Sequence, residues 1–336
     1  MRKRVYIAYT GGTIGMRRSE KGYIPEPGYL ESLMAQMVEL QQEEMPEYVI
    51  HQYQPLVDSS KMRPSGWLRI ARDIADAYDD FDGFLVLHGT DTMAYTASAL
   101  SFILPGLSKP VIVTGSQIPL CEIRSDAREN LITSLLIAAR FSIPEVCLFF
   151  GNRLLRGNRA VKVHADGLHA FDSPDFPALG EAGVDIEIKW DLIHRPKQSS
   201  RNLMLENLEP CRVGALRLFP GISSQMVEGM LKPLDGLVLE AFGIGNGPDD
   251  EDFLKVLQSA TDQGVVIVAC TQCLRGRVDL SSYATGRRLA EAGVVSGYDM
   301  TAEAALTKLF CLLGAKRPPQ EVRILAQTNL RGELTT

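Results

Sequence analysis

Two turns that carry threonines are the residues of this sequence best suited to chemistry. The apolar run Val5–Tyr9 leads into Thr10–Thr13, and the apolar run Gly83–Leu87 leads into His88–Thr92. Both runs are typical of buried strands, and ligands of open α/β sheets bind at the carboxyl ends of the strands. A hydroxyl in a glycine-rich turn, joined in the second turn by a carboxylate, indicates a threonine nucleophile rather than a phosphate site.

A threonine hydroxyl attacks only when a neighbouring group accepts its proton. Asp91 places a carboxylate directly beside Thr90. Lys162 is a second candidate, because desolvation between Val161 and Val163 would lower the pKa of its amine and let it act as a base. On the local sequence alone, a lysine whose amine extends into solvent is the favoured alternative.

The other chemical motifs have incomplete spacing. Gly243–Gly247 follows an apolar run but lacks the GxGxxG pattern of dinucleotide sites. Cys270–Cys273 is a CxxC with no second pair, which favours core thiols over a zinc or redox site. His88 is expected to be a hydrogen-bonded structural residue, and His164 and His169 have no third ligand nearby. We therefore expect neither a metal nor an organic cofactor.

Length and composition indicate a globular protein with room for roughly two domains of ~150 residues. The 336 residues are 45% hydrophobic and 23% charged, and the net charge of −6 with one short basic run argues against nucleic acid as a partner. No apolar stretch reaches the ~18 residues of a membrane helix, and the run after the basic start is too short for a secretory signal. With six scattered cysteines and no disulfide pattern, a cytoplasmic protein is expected.

Strands and helices alternate along both halves of the chain. In the first part the pattern predicts strands at 4–9, 48–58, 84–87, 111–114 and 146–150, and helices at 65–79, 92–104 and 125–141, with alternation to about 190. In the second part it predicts strands at 213–219, 236–240, 265–269 and 294–296, and helices near 223–232, 250–263, 281–292, 301–313 and 319–328. A polar, proline-punctuated stretch between them reads as a linker. We predict two doubly wound α/β domains, a larger N-terminal catalytic domain (1–188) and a smaller C-terminal parallel-sheet domain (212–336), joined by a linker (189–211).

Five motifs in order give the chain a specific resemblance that covers essentially its whole length. They are Ala8–Met16, Asp58–Ser60, Leu87–Tyr95, Val113–Pro119 and His164–Gly167. With these motifs the chain resembles the bacterial type I, cytoplasmic L-asparaginases. That family converts L-asparagine and water to L-aspartate and ammonia without a cofactor, and the same reaction is implied here.

The resemblance also implies the catalytic residues. Thr13 matches the threonine that attacks and forms a covalent β-aspartyl ester. Tyr23 matches the tyrosine of a mobile lid that polarises this hydroxyl, and Gly22 and Gly28 give the lid segment 14–29 its backbone freedom. Thr90, Asp91 and Lys162 match a second triad of hydroxyl, carboxylate and ammonium. The order in which the two threonines attack is left open.

Substrate-binding residues follow from the same match and from the charges of asparagine. Asp58 and Ser59 match the family's residues that bind the α-amino and α-carboxylate groups, and Asp91 also binds the ammonium. Hydroxyls and N–H groups for the carboxylate and the oxyanion are expected from the turns themselves. The remaining residues expected to line the site are Gly12, Ser60 and Ser116, together with Asn246 of a neighbouring subunit in a homotetramer built as a dimer of dimers.

Other functions share some of these features. Weak glutaminase activity is expected, because one methylene changes binding by only ~1–3 kcal/mol. A silent asparagine-binding sensor would be favoured if Thr13, Thr90 or Lys162 were replaced. The amidase subunit of a tRNA-dependent amidotransferase carries an extra N-terminal domain, whereas the first strand here starts at residue 4.

Some members of the resembled family also bind a second asparagine at a regulatory site. They present an arginine where this chain has Glu240 and a hydroxyl residue where it has Val161. Glu240 would repel the effector's carboxylate, and Val161 removes a donor. Arg275 and Arg277 are the nearest candidates for a replacement charge. Weak or absent cooperativity is therefore expected.

Overall fold

The computed structural model describes residues 2–20, 22–195, 203–206 and 208–335. The chain divides into two compact units, Met1–Leu205 and Glu206–Thr336. The described residues of the predicted linker 189–211 contain neither helix nor strand, and 196–202 and 207 lie outside the described residues. No helix in the described part is long and apolar enough to span a membrane.

The larger unit is built on a mixed sheet. The strands of this unit are β1 (Arg4–Tyr9), β2 (Met16–Ser19), β3 (Gly22–Pro25), β4 (Glu47–Gln52), β5 (Gly83–Leu87), β6 (Val111–Thr114), β7 (Val146–Phe150), β8 (Arg153–Arg156), β9 (Val161–Lys162), β10 (Phe171–Asp172), β11 (Gly180–Ala182) and β12 (Ile186–Ile188). Strands β2 and β3, and strands β9 and β10, form two separate antiparallel pairs. The helices of this unit are α1 (Tyr29–Gln36), α2 (Pro64–Asp76), α3 (Met93–Ile103) and α4 (Ala127–Arg140). Among the described residues, the main sheet has the strand order β12-β11-β8-β7-β6-β5-β1-β4.

The sheet is parallel from β4 to β7 and antiparallel beyond β7. The α/β class is confirmed, but the expected alternation of strand and helix up to about 190 is wrong after residue 150. The cause is the two-residue turn Gly151-Asn152, in which both residues have positive φ. Such turns match the twist of an antiparallel hairpin and send the chain straight back along β7.

Local sequence accounts for the elements that carry the site. The central strands β1, β5, β6 and β7 are buried over nearly their whole length, as expected for parallel strands covered on both faces. Edge strand β4 alternates between exposed and half-buried residues and ends at Gln52, earlier than the predicted 58. Pro55 follows shortly after, and a proline cannot donate to a strand ladder.

The smaller unit is a parallel four-stranded sheet, with the order β13 (Val213–Arg217), β14 (Gly236–Ala241), β15 (Val266–Thr271) and β16 (Val295–Ser296). Its helices are α5 (Ser224–Leu231), α6 (Glu251–Asp262), α7 (Ala284–Glu291), α8 (Ala302–Gly314) and α9 (Pro319–Ala326). Side-chain caps begin three of these helices: Ser223, Asp250 and Thr301 each accept a hydrogen bond from a backbone N–H of the first turn. Two hydrophobic clusters contain alternate residues of the central strands.

Candidate active site

Three loops meet at the carboxyl ends of the parallel strands, with glycines at the points of contact. A Cβ on Gly12 would lie 2.5 Å from the Cα of Gly89, and a Cβ on Gly89 would lie 2.5 Å from the Oγ of Ser59. Gly12 also has φ +90°, a conformation that side chains rarely adopt. The turn after β1 is therefore in backbone contact with the turn after β5, and the latter contacts the Ser59 side chain of the loop after β4. The turns that carry Thr13 and Thr90 and the loop that carries Ser59 thus lie side by side.

Lys162 joins the second threonine to its carboxylate. Its Nζ lies 2.9 Å from Thr90 Oγ1 and 2.8 Å from Asp91 Oδ1. The Lys162 side chain is 18% exposed, whereas that of Asp91 is 64% exposed. The alternative of a lysine extending into solvent is wrong, because the amine is directed onto this pair.

Gln117 is a site residue that the sequence reasoning did not single out. Its Oε1 accepts a hydrogen bond from Thr90 Oγ1 at 3.0 Å, and its Nε2 donates to the carbonyl oxygens of Ala165 and Gly167 at 3.1 and 3.2 Å. Thr90 thus accepts from Lys162 and donates to Gln117, so both the oxygen and the proton of this hydroxyl are fixed. The motif Val113–Pro119 contains Gln117 beside Ser116, so the sequence does carry a signal for it.

Ser116 is buried and hydrogen-bonded within its own loop. It is 1% exposed, and its Oγ donates to the carbonyl of Ile118 at 2.7 Å. Asp126 holds the same loop, with its two oxygens accepting from the backbone N–H groups of Gln117 and Ile118 at 3.0 and 2.9 Å. In this arrangement Ser116 shapes the loop that presents Gln117.

The predicted ammonium-binding carboxylate follows β4 in the described turn. Asp58 is exposed and caps the 3-10 turn Ser59–Lys61 by accepting from the backbone N–H of Ser60 at 3.0 Å. Hydrogen bonds from Ser60 hold the pKa of Asp58 below its usual range, so the group is a carboxylate near neutrality. Ser60 is exposed, and Ser59 is buried with its carbonyl bonded to Thr92 Oγ1 at 2.8 Å.

Tyr23 lies on the β2–β3 hairpin and is hydrogen-bonded to the loop after β6. Its Oη donates to Glu122 Oε1 at 2.8 Å, and this bond raises the pKa of the Tyr23 phenol. The same loop contacts the segment before the hairpin, where Leu120 N donates to the carbonyl of Ile14 at 3.0 Å. Because Tyr23 donates its proton to Glu122, its oxygen can accept a hydrogen bond from another group. Glu122 is a second residue that sequence reasoning missed.

His88 has the structural role expected of it. Its Nδ1 lies 2.7 Å from the carbonyl of Gly89, which can only accept, so Nδ1 carries the proton. Its Nε2 therefore accepts from Thr96 Oγ1 at 2.9 Å, while Thr96 Oγ1 accepts from Trp67 Nε1 at 3.1 Å. Full burial lowers the pKa of His88 to about 4. The ring is a neutral support beneath the Gly89–Thr90 turn.

Asn246 lies in the smaller unit. Its side-chain Oδ1 accepts from Thr285 Oγ1 at 2.7 Å, and its backbone closes the turn with Phe242.

Of the CxxC, Cys270 is a core thiol as predicted, but Cys273 is exposed, so the prediction of a core thiol is wrong there. In the part of the chain that the structure describes, no cluster of three metal-ligating side chains occurs.

The sequence and the fold of this chain are both similar to those of known proteins. The family model "Asparaginase, N-terminal" matches residues 4–194, and "Glutaminase/Asparaginase C-terminal domain" matches residues 212–325. The chain is 52% identical to L-asparaginase 1 of Escherichia coli K12 over 99% of its own length and 98% of the relative's. The crystal structure of L-asparaginase I from Vibrio cholerae matches with a TM-score of 0.92 at 49% identity, covering 100% of both chains. The thermostable L-asparaginase from Thermococcus kodakarensis matches with a TM-score of 0.89 at 34% identity, covering 99% of both chains.

Proposed function

Because the chain belongs to the asparaginase family, we propose that it hydrolyses L-asparagine to L-aspartate and ammonia, as an amidohydrolase acting on a linear amide. The observation that carries this proposal is the contact of Lys162 Nζ with both Thr90 and Asp91. Relatives named as L-asparaginases share half of the sequence over the full length.

We assign the covalent step to Thr13. Its hydroxyl oxygen bonds to the side-chain amide carbon of asparagine, the C–N bond breaks, and ammonia leaves with a transferred proton. Water then cleaves the β-aspartyl ester and restores the hydroxyl of Thr13. Tyr23 Oη accepts the proton of Thr13 while the phenol passes its own proton to Glu122 Oε1, and the reverse transfer supplies the proton that leaves with ammonia.

We assign the orientation of water and proton transfer to Thr90, Asp91 and Lys162. The Thr90 hydroxyl is already bound to Lys162 and Gln117, so it is better suited to orienting water or transferring a proton than to attacking first. The backbone N–H groups around Gly89 and Thr90 stabilise the tetrahedral oxyanion, an interaction worth ~10²–10³ in rate in other hydrolases.

Substrate recognition rests on charge. Asp58 and Asp91 are the carboxylates for the α-ammonium of asparagine, and both are exposed, in the loops after β4 and β5, the two strands that flank β1. Ser59, Ser60 and the backbone of Gly12 serve the α-carboxylate. Ser116 contributes by fixing its loop.

We further propose a cytoplasmic homotetramer, a dimer of dimers active in asparagine catabolism, with Asn246 reaching the site of a neighbouring subunit. Thr285 fixes the oxygen of the Asn246 amide, which orients the amide nitrogen. All six cysteines are free thiols, which suits a reducing compartment.

Ammonia release from L-asparagine and L-glutamine, measured side by side, tests the function. We expect rapid release from asparagine and slow release from glutamine. Binding of asparagine without ammonia would support a sensor instead. Faster release from glutamine than from asparagine would support an amidotransferase subunit.

A further inference from the structure

Tyr9 has a buried hydroxyl without a hydrogen-bond partner directly beside the proposed nucleophile's turn. It is the last residue of β1, four positions before Thr13, and only 1% of its surface is exposed. Its Oη has no hydrogen-bond partner among residues 2–20, 22–195, 203–206 and 208–335. Burial raises the pKa of this phenol well above its usual value, so the group keeps its proton.

The phenol lies against the 3-10 turn Thr13–Gly15. A Cβ on Gly15 would lie 2.0 Å from Tyr9 Oη and 2.7 Å from Tyr9 Cζ. The hydroxyl of Tyr9 therefore occupies the space that any side chain at Gly15 would need. Helix α1 covers the same place from the other side, since Leu30 Cβ would lie 3.1 Å from that Cβ.

A buried hydroxyl without a partner destabilises the ligand-free fold, and a hydrogen bond formed in a liganded state would offset that cost there. Phenylalanine would bury the same ring without an unsatisfied donor. Tyr78 shows the usual arrangement in this chain, because its Oη accepts from the backbone N–H groups of Ser108 and Lys109 at 2.7 and 3.0 Å.

The backbone of Gly15 lies next to Tyr9 Oη, so the turn itself can supply a partner. The hydrogen bond from Gly15 N to the carbonyl of Gly12 is long, at 3.4 Å. The turn continues into the β2–β3 hairpin, where Gly22 begins β3 and Gly28 follows the hairpin, with φ +96° and +77° and open space around both. A small shift of this segment would bring a backbone group of the turn within reach of Tyr9 Oη.

We propose that Tyr9 is a positioning residue for Thr13: when ligand binds, the turn Thr13–Gly15 shifts and the hydroxyl of Tyr9 takes up a hydrogen bond to its backbone. Tyr9 does not touch the substrate. It couples occupation of the site to the position of the attacking hydroxyl. This inference rests on the proposed function, in which Thr13 is the nucleophile.

The test is Tyr9→Phe, measured in the full chain with and without L-aspartate. Without ligand, loss of the unsatisfied hydroxyl raises the melting temperature by about 2–4 °C. With ligand, the variant lacks one hydrogen bond, so L-aspartate binds about tenfold more weakly and kcat/KM for asparagine falls by a similar factor. A residue with only a structural role would not combine higher stability with weaker binding.

Tyr78→Phe is the matched control. Its hydroxyl is already bonded in the free protein, so this variant melts at a lower temperature and binds L-aspartate like the wild type. A Tyr9→Phe protein that melts lower than the wild type, or binds L-aspartate as tightly, would overturn the inference while the wild type remains active. A wild type that neither releases ammonia nor binds L-aspartate would refute the proposed function and this inference with it.

Discussion

Lys162 and Thr90 are 72 residues apart in the sequence, and the amine of one donates to the hydroxyl of the other at 2.9 Å. The short strand β9 brings the lysine to the turn after β5, and Asp91 shares the amine at 2.8 Å. This contact joins two separately predicted motifs into one group of hydroxyl, carboxylate and ammonium.

Removing either member of this contact should abolish turnover without unfolding the protein. We expect Thr90→Val and Lys162→Met to lose at least ~10³ in kcat, because residues that act as a unit in the transition state cost several powers of ten when deleted. Steady-state ammonia release measures the loss, and circular dichroism reports the fold. Lys255→Met is the control, since this exposed lysine pairs with Asp252 within α6, outside the proposed site, and its loss should leave kcat unchanged. Wild-type-like turnover in either site variant would remove that residue from the mechanism.

Gln117 should matter through orientation rather than charge. Gln117→Met keeps the length of the side chain but removes the acceptor for Thr90 and the donors to Ala165 and Gly167. We expect kcat to fall by about 10–100-fold with a smaller change in KM, because the misplaced hydroxyl harms the transition state more than binding. An unchanged kcat would show that Lys162 alone fixes Thr90.

His88 should make the stability of the protein depend on pH. Its folded pKa of about 4 lies below the ordinary value of 6.5, so at pH 5 the unfolded chain binds a proton that the folded protein does not. The contribution to the free energy of unfolding is fully present above pH 6.5 and is lost as pH falls towards 4, by about 3 kcal/mol in total. Denaturant unfolding of the wild type and of His88→Gln across this pH range gives the contribution of His88. It is the difference between the two proteins in how steeply the free energy of unfolding changes with pH. Parallel curves for the two proteins would contradict the assignment.

Cooperativity should be absent, with a Hill coefficient near one. Glu240 pairs only loosely with Arg217, at 3.6 Å, and its charge adds to burial in raising the pKa of Glu303. An effector carboxylate would meet repulsion there, and Arg275 and Arg277 are exposed on a following loop. Initial rates over a wide range of asparagine concentrations decide the matter. A clearly sigmoidal curve would show that a regulatory site exists with other ligands.

The sequence predicts the parallel part of the fold well. Arg4–Tyr9, Val111–Thr114 and Val146–Phe150 are strands with the predicted bounds, because buried parallel strands are continuous apolar runs with clear ends. The antiparallel strands β8, β11 and β12 were not predicted. They are short, and their direction is set by the turn Gly151-Asn152 rather than by a hydrophobic period.

Some residues of the candidate site can likewise be predicted from the sequence, and others cannot. Threonines and carboxylates in glycine-rich turns are visible in the sequence, because turn chemistry is local. Gln117 and Glu122 act through side chains that cross to Thr90 and Tyr23, 27 and 99 residues away. No local pattern specifies such contacts, since they depend on how the loop after β6 lies against its neighbours.

The central claim is that Thr13 is the attacking residue of an asparagine hydrolase. Ammonia release by Thr13→Ala, compared with the wild type under saturating L-asparagine, tests it most directly. The account predicts a folded protein whose rate is at least ~10³ lower than that of the wild type. A folded Thr13→Ala protein with turnover close to that of the wild type would contradict it.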